Sequence, residues 1–177
     1  MELCQGVADY LSKHHEINVS AEDIVVTPGA KQAMLYSFLV TTMPGDEVIL
    51  LAPSWASYEP MLEFIGAKPV HVPVRKDNFH PDLDAIREAV TDRTRMILLN
   101  SPCNPTGAVF TPDEIQGILQ IAVDNDLWIV SDEIYSRMVW VDWPHVSPAS
   151  LPGGMERTIV VNGWSKSWAM TGMRLGF

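Results

Sequence analysis

The sequence predicts an α/β protein with a mostly parallel sheet covered by helices on both faces. Three observations carry that reading. Short, near-continuous β-branched runs recur along the chain, segments with helical spacing separate them, and glycine, proline and polar residues gather just after the runs. A parallel sheet is buried on both faces, so its strands lack the apolar–polar alternation of a half-exposed sheet.

In order, Ile24-Val25-Val26-Thr27 reads as the first strand, and Gln32 to Val40 as a helix with Ala33, Leu35, Phe38 and Leu39 inward. Val48-Ile49-Leu50-Leu51 reads as a buried strand, ended by Ala52-Pro53. Tyr58 to Ile65 is expected to be helical and Pro69 to Val74 extended. Leu83, Ile86, Ala89 and Val90 mark a further helix, and Met96-Ile97-Leu98-Leu99 a further strand. Thr111-Pro112-Asp113-Glu114 forms a helix start: Thr111 can cap, Pro112 suits the first turn, and Glu114 can close a capping box. Ile115, Ile118, Leu119 and Ala122 give that helix its apolar side. Leu127-Trp128-Ile129-Val130 and Thr158-Ile159-Val160-Val161 are the last two strands.

Composition excludes several function classes. With 47% apolar and 19% charged residues over 177 positions, the chain is a globular domain rather than a disordered one. A net charge of −10 and scattered basic residues, densest at Arg93 and Arg95, argue against nucleic acid. No apolar run approaches the roughly 20 residues that span a bilayer. The start, Met-Glu-Leu-Cys-Gln-Gly, lacks the pattern of a secretory signal, and Cys4 and Cys103 make neither a disulfide framework nor a zinc site. A cytoplasmic setting is expected. His14-His15 lies on a polar stretch expected to be solvated rather than metal-binding, and no metal is expected elsewhere.

The turn signals fall after strands: Thr27 to Ala30, Ala52 to Trp55, Asn100 to Gly107, Ser131 to Glu133, and Asn162 to Lys166. In open parallel sheets, ligands sit beyond the carboxyl ends of the strands, so these loops converge on one rim. That rim offers an amine (Lys166), a carboxylate closing a buried strand (Asp132), a phenol (Tyr135), an amide (Asn104) and a flat ring (Trp55). It also offers a strand-to-helix turn with free N–H groups (Gly29-Ala30-Lys31) and an arginine (Arg174). Such a set suits a phosphorylated aromatic aldehyde. The amine meets the aldehyde, the acid keeps a ring nitrogen protonated, and a helix start with an arginine takes the phosphate. Read singly, each residue has a plainer role: a solvated lysine, an N-capping aspartate, core aromatics, turn-forming Gly29 and Pro105.

Taken together, the motifs resemble those of the class I/II aminotransferases, fold type I pyridoxal-phosphate enzymes. Asn100-Ser101-Pro102-Cys103-Asn104-Pro105-Thr106-Gly107, Ser131-Asp132-Glu133-Ile134-Tyr135, and Ser165-Lys166 through Arg174 match in type, order and approximate spacing. Val26 to Ala33 and Pro53 to Tyr58 extend the match from about residue 20 to the end of the chain. The resemblance implies that Lys166 forms a Schiff base with pyridoxal 5'-phosphate and shuttles the proton of transamination. It implies that Asp132 pairs with the pyridinium nitrogen, that Tyr135 and Asn104 bond the phenolic oxygen, and that Trp55 stacks on the ring. Gly29, Ala30, Lys31, Ser165 and Arg174 would hold the phosphate. It also suggests cis bonds at Ala52-Pro53 and Asn104-Pro105.

The family further implies an N-terminal segment before Met1 and a C-terminal small domain. Residues 1–177 are therefore expected to be an incomplete large, cofactor-binding domain of a homodimeric enzyme, truncated at both ends. Trp164 is bulkier than the family's usual residue there, and either narrows the pocket or turns into the core. Lys31 occupies the place of a lysine that related enzymes set near a distal carboxylate, pointing to aspartate or glutamate; aromatic substrates stay open. The expected reaction moves an amino group between an L-amino acid and a 2-oxo acid. The alternatives are a carbon–sulfur β-lyase, which Met138-Val139-Trp140 favours, and a non-catalytic cofactor-binding fragment.

Overall fold

The structure is a computed structural model describing residues 1–177. Five strands form one parallel sheet: β1 (Glu47–Ala52), β2 (Lys68–Pro73), β3 (Thr94–Asn100), β4 (Trp128–Asp132) and β5 (Thr158–Val161), in the spatial order β2-β1-β3-β4-β5. The helices are α1 (Glu2–His15), α2 (Ala30–Thr41), α3 (Tyr58–Phe64), α4 (Leu83–Ala89) and α5 (Pro112–Asp124).

Successive strand residues point to opposite faces, and here each face finds its own helices. Val48 and Leu50 of β1, Met96 and Leu98 of β3, and Val130 of β4 pack with Ala33, Met34 and Phe38 of α2 and Leu62 of α3. Ile49, Leu51, Ile97, Leu99 and Ile129 face the other way, onto Ile86 of α4 and Ile115, Ile118 and Leu119 of α5. Both faces are thus dry, which is why the strands read as apolar runs. The capping box at the start of α5 forms as expected: Thr111 N donates to Glu114 Oε2 at 2.8 Å, and Glu114 N to Thr111 Oγ1 at 3.3 Å.

Three expectations are corrected. Ile24 to Thr27 is not a strand of the sheet, since only Thr27 makes an isolated antiparallel bridge, with Gly176. Gly176 also bridges Gly163, so the chain's last residues lie between the two segments that would otherwise pair. On α2, Leu39 is 51% exposed, and Met34 with Ser37 takes the inward face instead. The buried stripe is set by which side of α2 lies on the sheet, where Ala33, Met34 and Phe38 pack with Val48, Leu50 and Leu98. Lastly, the polar stretch at His14-His15 is the end of a helix, α1, whose Val7 and Leu11 pack with Ile17, Ala149 and Phe177. His15 is not solvated: its side chain is 5% exposed. His14 is exposed as expected, whereas His15 joins a polar cluster with Glu133 and His145 inside the molecule. Trp164 turns towards this third core, with its ring centroid 5.3 Å from that of Phe177.

The chain crosses from β2 at one edge back to β3 on the other side of β1. Loops after β1 and β3 therefore diverge to opposite faces, opening a crevice at the carboxyl ends of the strands.

Candidate active site

Asp132 ends β4 deep in this crevice, 6% exposed. Its backbone carbonyl accepts from Asn100 Nδ2 at 3.0 Å, at the neighbouring end of β3. Asn100 Oδ1 in turn accepts from Asn104 N at 2.7 Å, so one buried amide ties the strand end to the proline-rich loop. Three peptide bonds around this loop are cis: Ala52-Pro53, Ser101-Pro102 and Asn104-Pro105. The first and last match the sequence expectation, and the second was not foreseen.

The Asp132 carboxylate accepts from Ile134 N through Oδ1 at 3.2 Å and from the Tyr58 hydroxyl through Oδ2 at 2.6 Å. Burial pushes its pKa up to about 6, and the bonds from Tyr58 and Ile134 only partly offset that shift. The same burial, with the Asp132 charge alongside, pushes the Tyr58 phenol well above its ordinary value. An acid poised near neutrality by an apolar setting is one that a cationic partner can switch fully to its charged form.

The site is a cavity of about 200 Å³. Ala30, Lys31, Trp55, Asn104, Asp132, Tyr135, Ser165, Lys166 and Arg174 all line it. The structure thus brings together nine of the ten residues singled out in the sequence, with the tenth, Gly29, just behind Arg174. The Lys166 ammonium lies 5.8 Å from the Tyr135 ring centroid, at the exposed mouth. Lys31 reaches across to Trp55, with Nζ 4.9 Å from the ring centroid, so this side chain already occupies one aromatic face.

Gly29 is the N-cap of α2 and has φ 94° and ψ 154°, a region open essentially to glycine alone. No side chain caps this helix, which leaves its first N–H groups aimed at the cavity rim. Arg174 crosses the same spot: Nη2 donates to Pro28 O at 3.3 Å and Nη1 to Thr171 O at 3.1 Å. A Cβ on Gly29 would strike the guanidinium. A helix start, an arginine and a glycine cleared for both make an anion cradle. The residues present therefore fit a phosphorylated ligand carrying a group that an amine can attack, flanked by a buried acid.

Sequence reasoning missed Tyr58, Asn100 and Thr171 as site residues. Tyr58 stood inside an apolar helical pattern and looked like a core aromatic; its hydroxyl meets Asp132 across 74 positions, which no local spacing reveals. Asn100 was legible as the polar end of an otherwise apolar strand.

Known proteins share this sequence pattern and fold. The family model for aminotransferase class I and II matches residues 1–177. The aspartate aminotransferase of Musicola paradisiaca is 43% identical over 99% of this chain, which spans 44% of that relative. The aromatic-amino-acid aminotransferase 2 of Thermococcus litoralis is 40% identical over 100% of this chain and 46% of its own length. Among solved structures, the Thermus thermophilus aspartate aminotransferase with maleate superposes with a TM-score of 0.95 at 39% identity, over 99% of this chain and 45% of that one. The aromatic aminotransferase of Pyrococcus horikoshii gives a TM-score of 0.96 at 43% identity, over 99% and 47%. The chain thus spans about half the length of the relatives it matches. With the family model matching the whole chain and relatives at about 40% identity along it, this chain belongs to the class I and II aminotransferases.

Proposed function

We propose that the protein containing this chain is a pyridoxal-phosphate-dependent aminotransferase that moves an amino group between an L-amino acid and a 2-oxo acid. The observation that carries the reading is the single cavity lined by Lys166, Asp132, Tyr135 and Arg174 beside the uncapped start of α2. Lys166 would hold the cofactor through its amine, and Asp132 would face the ring nitrogen. Tyr135 and Asn104 would bond the phenolic oxygen, and Trp55 would pack on the ring. The N–H groups after Gly29, with Ser165 and Arg174, would take the phosphate. The bound cofactor would supply an electron sink for the bond broken at the substrate's α-carbon.

The remaining work belongs to the chain. Asp132 has a pKa near 6 when unpaired, and a protonated ring nitrogen against it would hold it ionised. Lys166 Nζ, once free of the cofactor, is the base that accepts the α-proton and returns it. Lys31 is a cation at the cavity wall, suited to a second carboxylate on the substrate. The names of the relatives, aspartate and aromatic aminotransferases, support dicarboxylic or aromatic amino acids as the substrates. The carbon–sulfur lyase reading gains nothing from those names. Residues 1–177 we assign to the cofactor-binding domain of a homodimeric, cytoplasmic enzyme, on the strength of the family resemblance.

The test is amino transfer by the complete protein. Aspartate with 2-oxoglutarate should yield glutamate and oxaloacetate, and Lys166→Ala should lose the activity by more than about a thousandfold. Pyruvate and ammonia from a sulfur amino acid, without any amino acceptor, would overturn the assignment in favour of the lyase. Undiminished transfer by Lys166→Ala would overturn the role of the lysine.

A further inference from the structure

Glu133 follows Asp132 directly but points to the opposite side, away from the cofactor cavity and towards α1. Its carboxylate is wholly buried, 0% exposed. Oε1 accepts from Ser131 Oγ at 2.9 Å and from Ser147 Oγ at 2.6 Å. Those two hydroxyls fix the carboxylate and leave Oε2 for two imidazoles. His145 Nε2 lies 3.1 Å from it, and His15 Nδ1 lies 3.8 Å away. The two histidine side chains are 5% and 6% exposed.

We propose that His15, Glu133 and His145 form a binding site for a first-row divalent cation of the zinc type, separate from the cofactor cavity. One ligand atom from each residue lies within 4.8 Å of the others. Around an ion with bonds near 2.1 Å, such atoms stand about 3.3 Å apart, so closing the set takes shifts of an ångström or so. Two imidazole nitrogens and one carboxylate oxygen suit zinc, cobalt or nickel and not magnesium or calcium, which require more oxygen.

Two further observations point to a ligand. The supporting shell is largely in place: His15 Nε2 is 3.2 Å from the Tyr10 hydroxyl, which orients the ring with Nδ1 towards Glu133, and the two serines orient the carboxylate. Yet the network is incomplete as a set of hydrogen bonds. His15 Nδ1 faces the carboxylate from 3.8 Å, beyond hydrogen-bond range. His145 Nε2 and Glu133 Oε2 meet at 3.1 Å, while the third ligand atom, His15 Nδ1, is held beside them without a hydrogen bond to the carboxylate.

The three residues come from distant parts of the chain: the last turn of α1, the loop after β4, and the segment after Trp143. An ion there would clamp α1 onto the sheet end that also carries Asp132. Its expected role is structural, because all three protein ligands are enclosed.

The test uses the complete protein, freed of metal with a chelator and titrated with zinc chloride by calorimetry. One ion per chain should bind with a micromolar or tighter Kd. His15→Asn and Glu133→Gln should each weaken binding at least about tenfold, the loss that even an outer-shell partner causes when removed. Crystals of the unaltered protein soaked in zinc supply a second measurement that does not depend on how the variants fold: an anomalous peak among His15, Glu133 and His145. No binding up to millimolar zinc, equal binding by protein and variants, or a peak only elsewhere would overturn the site and leave a plain hydrogen-bond cluster.

Discussion

Asp132 shows how one residue's setting decides its chemistry. Its pKa is about 6 against an ordinary 3.8, so between those values the folded chain holds a proton that the unfolded chain has released. Stability contributed by this group therefore falls as pH rises from about 4 to 6, and stays reduced above that. At about 1.4 kcal/mol per pH unit, the cost at neutral pH is on the order of 3 kcal/mol. Without cofactor, Asp132→Asn should unfold at higher denaturant than the unaltered chain at pH 7.5, with the gap closing towards pH 4. A gap that stays constant across that range, measured by urea unfolding, would contradict the burial argument. Glu133, the next residue, behaves oppositely. Burial pushes it up, but charge and hydrogen bonding from His145, the Ser147 hydroxyl and the charge of His15 outweigh burial and leave it below its ordinary value. Two adjacent carboxylates thus titrate in opposite directions because they face opposite sides of one strand end.

At the scale of elements, the legible parts were those whose signal is local. β1, β3, β4 and β5 announced themselves as apolar runs, and α5 by its capping box. What escaped was set by distant partners. The stretch ending at His15 reads as solvated from its neighbours alone, and only Glu133 and His145, more than a hundred positions on, draw His15 inside. Ile24 to Thr27 carries strand residues, yet it has one bridging residue, because pairing depends on what lies beside it. The strand-to-helix turn at the start of α2 was legible because Pro-Gly before a helical pattern is a local signal. Gly29→Ala should cost about 1–3 kcal/mol of strain, since φ 94° with ψ 154° excludes a side chain. It should also displace Arg174 and weaken inorganic phosphate binding; calorimetry showing unchanged phosphate affinity would mean the cradle lies elsewhere.

For the whole molecule, the amino end of the sheet, opposite the site, carries a second electrostatic anchor. Glu47, at the start of β1, has its carboxylate 3% exposed and takes bonds from Thr91 Oγ1 at 2.6 Å, Arg93 Nη2 at 2.8 Å and Lys68 Nζ at 3.0 Å. Those partners pull its pKa down to about 2 from 4.5. A group so lowered stabilises the fold above its ordinary value, and that contribution is lost as pH falls through about 4.5 towards 2. Glu47→Gln should therefore be destabilised at pH 7 and converge on the unaltered chain in acid. Parallel acid-unfolding curves that keep the same separation down to pH 2 would refute this.

The uncapped start of α2 has one more consequence, for the bench rather than for catalysis. A helix start without a side-chain cap can take an anion from solution, which makes the solution part of the fold. Melting temperatures taken in phosphate or sulfate buffer would include a contribution from that anion, growing with its concentration. Variants of Gly29 or Arg174 compared across two buffers could reverse their apparent ranking, so buffer identity belongs among the variables of any stability series on this chain.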